Sequence, residues 1–134
     1  AGGAARTELN RNEDAGIAAV LTGMGSLSYG EVAGERMRLG VMLNDPEEEH
    51  SCFADNTHND HYYDGLGVQN AYLGEYVRID GSVVSGASLS DMVAATDVSL
   101  DTEMRAKLSA TMKALEHKHL FPERRRVLPI DKVV

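Results

Sequence analysis

A polar segment between Pro46 and Asp64 holds most of the residues that could bind a ligand or a metal ion. Nine of its nineteen residues carry a carboxylate or an imidazole. Such groups are costly to bury at this density unless they are paired or bound to something. The polar segment is therefore either a solvated surface or part of a binding site. The nine residues are Glu47, Glu48, Glu49, His50, Asp55, His58, Asp60, His61 and Asp64.

Two pairs in the polar segment have a spacing that metal ligands use on helices. Glu47 and His50 stand three positions apart, as in bundle proteins that bind metals through Glu-x-x-His. His58 and His61 repeat this spacing, and Asp64 follows three positions later. Imidazole and carboxylate donors suit iron, zinc and other divalent metals. The alternatives are an acidic first helical turn and a solvated, pH-sensitive helix face. We expect the solvated face for His61 and leave both interpretations open for His58.

Residues on either side of these pairs are candidates for shaping a ligand site. Asp55 and Asn56 have the residue types of a helix N-cap, and such a cap would aim His58 into a cleft. Glu35 and Arg36 form either a surface charge pair or part of a clamp between Arg36 and Asp55 or a glutamate. We favour the clamp. The predicted cofactor-binding residues are Glu35, Arg36, Asp55, Asn56 and His58, and the predicted metal ligands are Glu47, Glu49, His50 and His58.

The overall composition excludes several classes of protein. The 134 residues carry 13 basic and 21 acidic side chains, a net charge of −8, which disfavours nucleic acid as a partner and suits cations. A single cysteine, Cys52, excludes an intrachain disulfide and a cysteine-cluster zinc site. The longest wholly apolar stretch, Ile17 to Leu21, is far shorter than a membrane span.

The spacing of apolar residues predicts an all-α chain of about four or five helices, part of a helical bundle with glycine-rich bends. Residues 1–12 read as a frayed start or the end of a cut helix. A helix begins near Glu13 and ends or bends at the glycines 23–25. A second helix starts at Ser26 or Ser28, with Glu31 completing a capping box, and stops near Leu43.

Capping residues and glycines predict the boundaries of the remaining helices. Asp45 is a good helix N-cap and Pro46 a good first helical residue. The next helix is predicted to start near Asp55 or Thr57, to break near Gly65 and Gly67, and to end near Val77. Ser88 and Asp91 form a capping box for a short helix. A last long helix starts near Asp101, and residues 117–134 read as a divergent basic tail.

Several motifs in this sequence together resemble the imelysin-like family, which includes insulin-cleaving outer-membrane peptidases and iron-regulated protein A. The likeness runs from about Ala15 to Glu116 and covers the later part of the family's domain, so we assign residues 13–116 to a partial imelysin-like helical domain. The motifs that carry it are GMGSLSYGE from Gly23, GERM from Gly34, EEHSCF from Glu48, DNTH from Asp55, GVQN from Gly67 and YLG from Tyr72.

The resemblance implies a bacterial protein of the periplasm or outer membrane that takes part in iron acquisition. Its implied ligand is a metal ion, iron or another divalent metal, or a haem-related molecule. Its implied partners are the rest of the imelysin domain and a membrane reached through sequence before this chain. The family's Gly-x-His-x-x-Glu motif does not occur in these 134 residues, so we assign no catalytic residue. A metallopeptidase and a purely structural helical module are the alternative functions.

Overall fold

The computed structural model describes residues 3–120, which form the predicted all-α architecture. Six α-helices are accompanied by a π-helix, one 3-10 turn and a small hairpin of two strands. The elements are α1 (Ala4–Arg11), α2 (Glu13–Gly25), a π-helix (Ser26–Leu39), α3 (Gly40–Leu43), the 3-10 turn (Pro46–Glu48), α4 (Thr57–Leu73), β1 (Glu75–Val77), β2 (Val83–Ser85), α5 (Leu89–Thr96) and α6 (Val98–Leu120).

A single long helix runs from Glu13 to Leu43 where the sequence predicted two. Ser26 and Gly40, at the two ends of the π-helix, both keep right-handed helical dihedral angles, so the chain does not leave the helix. Ser28 donates its hydroxyl to the carbonyl of Met24, as a residue inside a helix does, and does not cap. The predicted stop at the glycines 23–25 was therefore wrong: the helix changes there from α to π spacing.

The polar segment is mostly irregular before it enters α4. Asp45 accepts a hydrogen bond from the backbone N–H of Glu47 (2.9 Å), which supports its predicted capping role, but the turn that follows closes after Glu48. Asn56 occupies the N-cap position of α4. The helix then continues to Leu73 through Gly65 and Gly67, so the predicted break was wrong.

A glycine ends α4 and leads the chain into a hairpin. Gly74 has a φ of 66°, a left-handed conformation that is typical of helix C-termini. Strands β1 and β2 then pair antiparallel, with Tyr76 opposite Val84. We had predicted helix to about Val77, and the hairpin corrects that boundary.

The capping predicted for α5 is confirmed. The hydroxyl oxygen of Ser88 accepts from the backbone N–H of Asp91 at 2.9 Å. α6 begins three residues earlier than predicted, because Asp97 caps it by accepting from the N–H of Leu100 (3.0 Å). Its backbone is helical to Leu120, and residues 121–134 of the predicted basic tail lie outside the described part of the chain.

The core lies where α6 packs against α4 and α5, and where α4 packs against the π-helix. Its buried apolar side chains among the described residues are Val32, Tyr72 and Leu115. Gly65 lets α4 and α6 pack closely, since a Cβ atom there would stand 2.6 Å from Cδ1 of Leu115. The α4–α6 contact thus sets the position of the polar segment, which leads into α4.

Candidate functional site

The polar segment and α4 bring His50, His61 and Asp64 together. Nδ1 of His50 lies 3.8 Å from Oδ2 of Asp64, and the ring centroids of His50 and His61 are 6.1 Å apart. His61 is only 7% exposed, so the solvated face predicted for it was wrong. α4 turns His61 inward because it packs against both α6 and the π-helix.

The arrangement is held by hydrogen bonds between the irregular segment and the first turns of α4. The backbone N–H of Ser51 donates to the hydroxyl of Thr57 (3.2 Å), and that hydroxyl donates to Glu49 (3.2 Å). The hydroxyl of Ser51 donates to the carboxylate of Asp60. These bonds attach the residue after His50 to α4, and so keep His50 beside Asp64.

Two polar atoms at this place are buried without a hydrogen-bond partner among residues 3–120: Nδ1 of His50 and Oδ2 of Asp64. Buried polar atoms are normally hydrogen-bonded, and leaving one unpaired costs about 1–3 kcal/mol. Each atom can bind a metal ion. Their 3.8 Å separation is also shorter than the sum of a Zn–N and a Zn–O bond, about 4.0–4.3 Å, so both can reach one ion.

A complete metal site is nevertheless not formed by the part of the chain that the structure describes. Nowhere in it do three or more histidine, cysteine, aspartate or glutamate side chains stand in a group that could hold a metal ion. The residues therefore fit two coordination positions of a metal. Further ligands would have to be water or side chains beyond residues 3–120.

The predicted metal ligands are placed differently from one another. His50 joins Asp64, whereas Glu47 and Glu49 are exposed. Glu47 belongs to the 3-10 turn and His50 to the turn after it, so the predicted shared helix face does not exist. His58 is half-buried in the first turn of α4. Its role as a ligand stays a prediction.

The predicted cofactor-binding residues lie on two segments, Glu35 and Arg36 in the π-helix and Asp55, Asn56 and His58 at the start of α4, and their joint role stays a prediction. Asp55 is exposed with a left-handed φ of 50°, and Asn56 precedes α4 at the N-cap position. Within the described residues the Asn56 side chain makes no capping hydrogen bond to the backbone. Its Oδ1 accepts a hydrogen bond from the side-chain amide of Asn59 instead. The cap residue was predicted, but not the way its side chain is used.

Arg36 binds a glutamate, but within its own helix and at a partly exposed position, not as the predicted buried clamp across the site. Nε and Nη2 of Arg36 donate to the same oxygen of Glu31, at 2.9 and 2.8 Å. This hydrogen bond and the charge of Glu31 raise the pKa of Arg36. Hydrogen bonding from residue i to i+5 is the spacing of a π-helix, which places these side chains side by side. Glu35 is exposed, and the clamp does not reach Asp55.

A cavity of about 650 Å³ lies beside Asp64, between the long helix, α4 and α6. Its walls are apolar and include four of the six methionines, Met24, Met37, Met104 and Met112. Asp64 lines the cavity and also faces His50. One carboxylate thus joins the polar cluster to the apolar cavity.

The sequence reading missed this cavity because it assumed α-helical spacing throughout. On the π-helix, the lining residues Ser28, Val32 and Met37 follow one another at intervals of four and five. A π-helix closes each turn with i→i+5 hydrogen bonds, so such residues share a face. Nothing in the spacing of the glycines from Gly23 to Gly34 specifies a π-helix, so the local sequence carried no signal for the cavity.

The model of the imelysin family (Peptidase_M75) matches residues 1–129 of this sequence. The chain belongs to the imelysin family. The match starts before Ala15 and continues beyond Glu116, so the family's pattern extends further in both directions than the motifs indicated. The division of this imelysin chain into residues 13–116 and a tail at 117–134 stays a prediction. No curated protein matches the chain.

Among the helices of this imelysin chain that the structure describes, none is both long and apolar enough to cross a bilayer.

Proposed function

We propose that this imelysin chain is a metal-binding component of bacterial iron acquisition, acting in the periplasm or at the outer membrane. The observation that carries the proposal is the His50–Asp64 pair. Both groups present a buried atom that has no hydrogen bond within residues 3–120, and the two atoms are close enough to share an ion. The link to iron and the location follow the resemblance to the family.

The ion would be a transition metal. A neutral imidazole and a carboxylate together suit iron, zinc and copper better than the alkaline-earth ions, which prefer oxygen ligands alone. His50 would bind through Nδ1 and Asp64 through Oδ2. The remaining positions would be filled by water or by the rest of the imelysin domain, the partner expected from the resemblance.

Calorimetric titration with ferrous, ferric, copper and zinc ions tests this proposal. We expect saturable binding of at least one ion, weakened more than about tenfold by His50→Ala, since even residues that only support a ligand contribute 10–100-fold to affinity. Glu47→Gln is the matched control, because Glu47 lies in the same segment and is exposed. It should leave the affinity unchanged.

The contrary results are equally specific. Failure of all four ions to bind to the folded chain would reject the proposal. Equal loss in Glu47→Gln and His50→Ala would point to diffuse attraction by an acidic surface, which is also sensitive to salt. Helix content by circular dichroism must be measured for each variant, so that loss of binding is separated from loss of fold.

A further inference from the structure

We propose that the methionine-lined cavity binds a small aromatic molecule that carries a protonated amine. The aromatic body would lie against the apolar walls, and the amine would donate to Asp64. This goes beyond the proposed metal function, because it concerns the apolar cavity that Asp64 lines and an organic ligand.

The walls suit an aromatic ligand. A volume of about 650 Å³ lies within the range of about 300–1,000 Å³ found for small-molecule sites, which are likewise mostly apolar with few polar groups. Thioether side chains adapt to irregular shapes and make favourable sulfur–aromatic contacts. Met24 and Met37 of the long helix and Met104 and Met112 of α6 all line this space.

The charges select a cation. Two charged residues line the cavity, Asp64 and Lys107. The ammonium of Lys107 is already bound to Glu103 at 2.9 Å, and its side chain is 72% exposed. Asp64 supplies the negative charge of the lining. Its Oδ2 faces His50 Nδ1 at 3.8 Å, and a protonated amine in the cavity would bind the same carboxylate.

The construction of the wall also favours a binding role. Ser28, Val32 and Met37 line the cavity from the π-helix, a helix form that is uncommon and is often found at functional sites. Leu21 and Met104 line the cavity and are 46% and 39% exposed. The cavity is partly open to solvent, which gives a small molecule a way in.

A matched series of naphthalene ligands tests the proposal. The unmodified chain, freed of metal with a chelator, is titrated with 2-naphthylmethylamine, 2-naphthalenemethanol and 2-naphthoate, which share a ring system but differ in charge. We expect the amine to bind about tenfold more tightly than the alcohol, because hydrogen bonds to charged groups contribute about that factor. The carboxylate should bind most weakly. Removing metal keeps this result independent of the proposed metal function.

Two variants locate the binding. Asp64→Asn should remove the preference for the amine and retain the affinity for the alcohol, while Asp14→Asn, an exposed residue of α2, should change neither. Ala33→Phe places a ring in the cavity that Ala33 lines and should weaken all three ligands. Ala18→Phe, on an exposed position of the same long helix, is its control.

Each other outcome overturns the proposal. Equal affinity for amine and alcohol in the unmodified chain, a measurement that needs no variant to fold, removes the role of Asp64. Binding that survives Ala33→Phe places the ligand elsewhere. Absence of binding together with a dimer in sedimentation that Ala33→Phe dissociates would assign the cavity to a second copy of the chain. If the chain is a monomer and binds none of the three ligands, the cavity does not bind aromatic amines and the proposal is wrong.

Discussion

Tyr72 of α4 donates its phenolic hydroxyl to Asp101 of α6 at 2.9 Å. The same carboxylate accepts from the hydroxyl of Ser90 in α5 and from Nε of Arg105 at 2.8 Å. Tyr72 is 2% exposed and Ser90 fully buried. One carboxylate thus joins three helices, and Tyr72 also lines the cavity, so this network helps to fix the shape of the candidate ligand site.

We expect Asp101→Asn to destabilise the fold by about 1.5–3 kcal/mol, the range for hydrogen bonds to charged groups. Tyr72→Phe removes one donor and leaves the other two, so it should cost about 1 kcal/mol. Urea denaturation followed by circular dichroism measures both changes. Glu103→Gln, which breaks an exposed ion pair on the same helix, should cost less than about 1 kcal/mol. Equal effects of Glu103→Gln and Asp101→Asn would show that the network around Asp101 contributes no more to stability than an exposed ion pair.

Stability at acid pH should depend on Asp101. Its hydrogen bond from Ser90, helped by Arg105 and Tyr72, holds the pKa of Asp101 below its ordinary value of 3.8. A lowered pKa means that the unfolded chain binds the proton more readily. This contribution to stability is therefore complete above about pH 3.8 and is lost as the pH falls from there through the pKa of the folded state. Urea unfolding between pH 2 and pH 6 should give a shallower pH dependence in Asp101→Asn than in the unmodified chain, and parallel curves would contradict this.

Gly65 and Gly67 of α4 form a matched pair for testing helix contact. A Cβ atom at Gly65 would lie 2.6 Å from Cδ1 of Leu115 and 3.2 Å from Sδ of Met112, whereas at Gly67 no described atom lies within 4 Å. Gly65→Ala should destabilise by about 1–3 kcal/mol through overpacking, reduced by the gain in helix propensity. Gly67→Ala has only that gain and should stabilise by up to about 1 kcal/mol. Thermal unfolding of the two variants should therefore shift in opposite directions, and shifts of the same sign would mean that the ends of the Leu115 and Met112 side chains move aside freely.

Gly74 and Gly81 test backbone strain with and without a close neighbour. Both have a left-handed φ, 66° and 82°. A Cβ atom at Gly74 would lie 2.8 Å from Cβ of Ser88, while the space around Gly81 is open within the described chain. Alanine at Gly81 should cost about 1–2 kcal/mol from the left-handed conformation alone. Alanine at Gly74 should cost clearly more, because the chain at Ser88 must also move. Chemical denaturation distinguishes the two, and equal losses would mean that the residues around Ser88 yield freely.

Local signals in the sequence were sufficient for several features of the fold. The all-α class followed from apolar spacing, and the cap of α5 followed from Ser88 and Asp91. The motifs from Gly23 to Gly74 indicated the imelysin family. Each of these depends on residues that are near one another in the chain, where propensity and short-range hydrogen bonds decide the structure.

Distance along the chain explains what was missed in the candidate site. His50 was paired with Glu47 because of their spacing, but a chain that is irregular between Glu49 and Asn56 carries no helical periodicity. The neighbour of His50 is instead Asp64, a residue of α4 that faces back toward the turn. His58 and His61 were correctly placed on a helix, yet which of them is more buried depended on the elements packed against α4.

The sequence by itself determined the family, the helical class and the local caps of this protein, because these arise from neighbouring residues and from recurrent motifs. Only the tertiary structure decided the π-helical spacing, the His50–Asp64 pair, the network around Asp101 and the cavity lined with methionines. Those features exist where α4, α6 and the long helix meet. A carboxylate or thioether acquires its partners there from segments far away in the chain, and no local pattern records that choice.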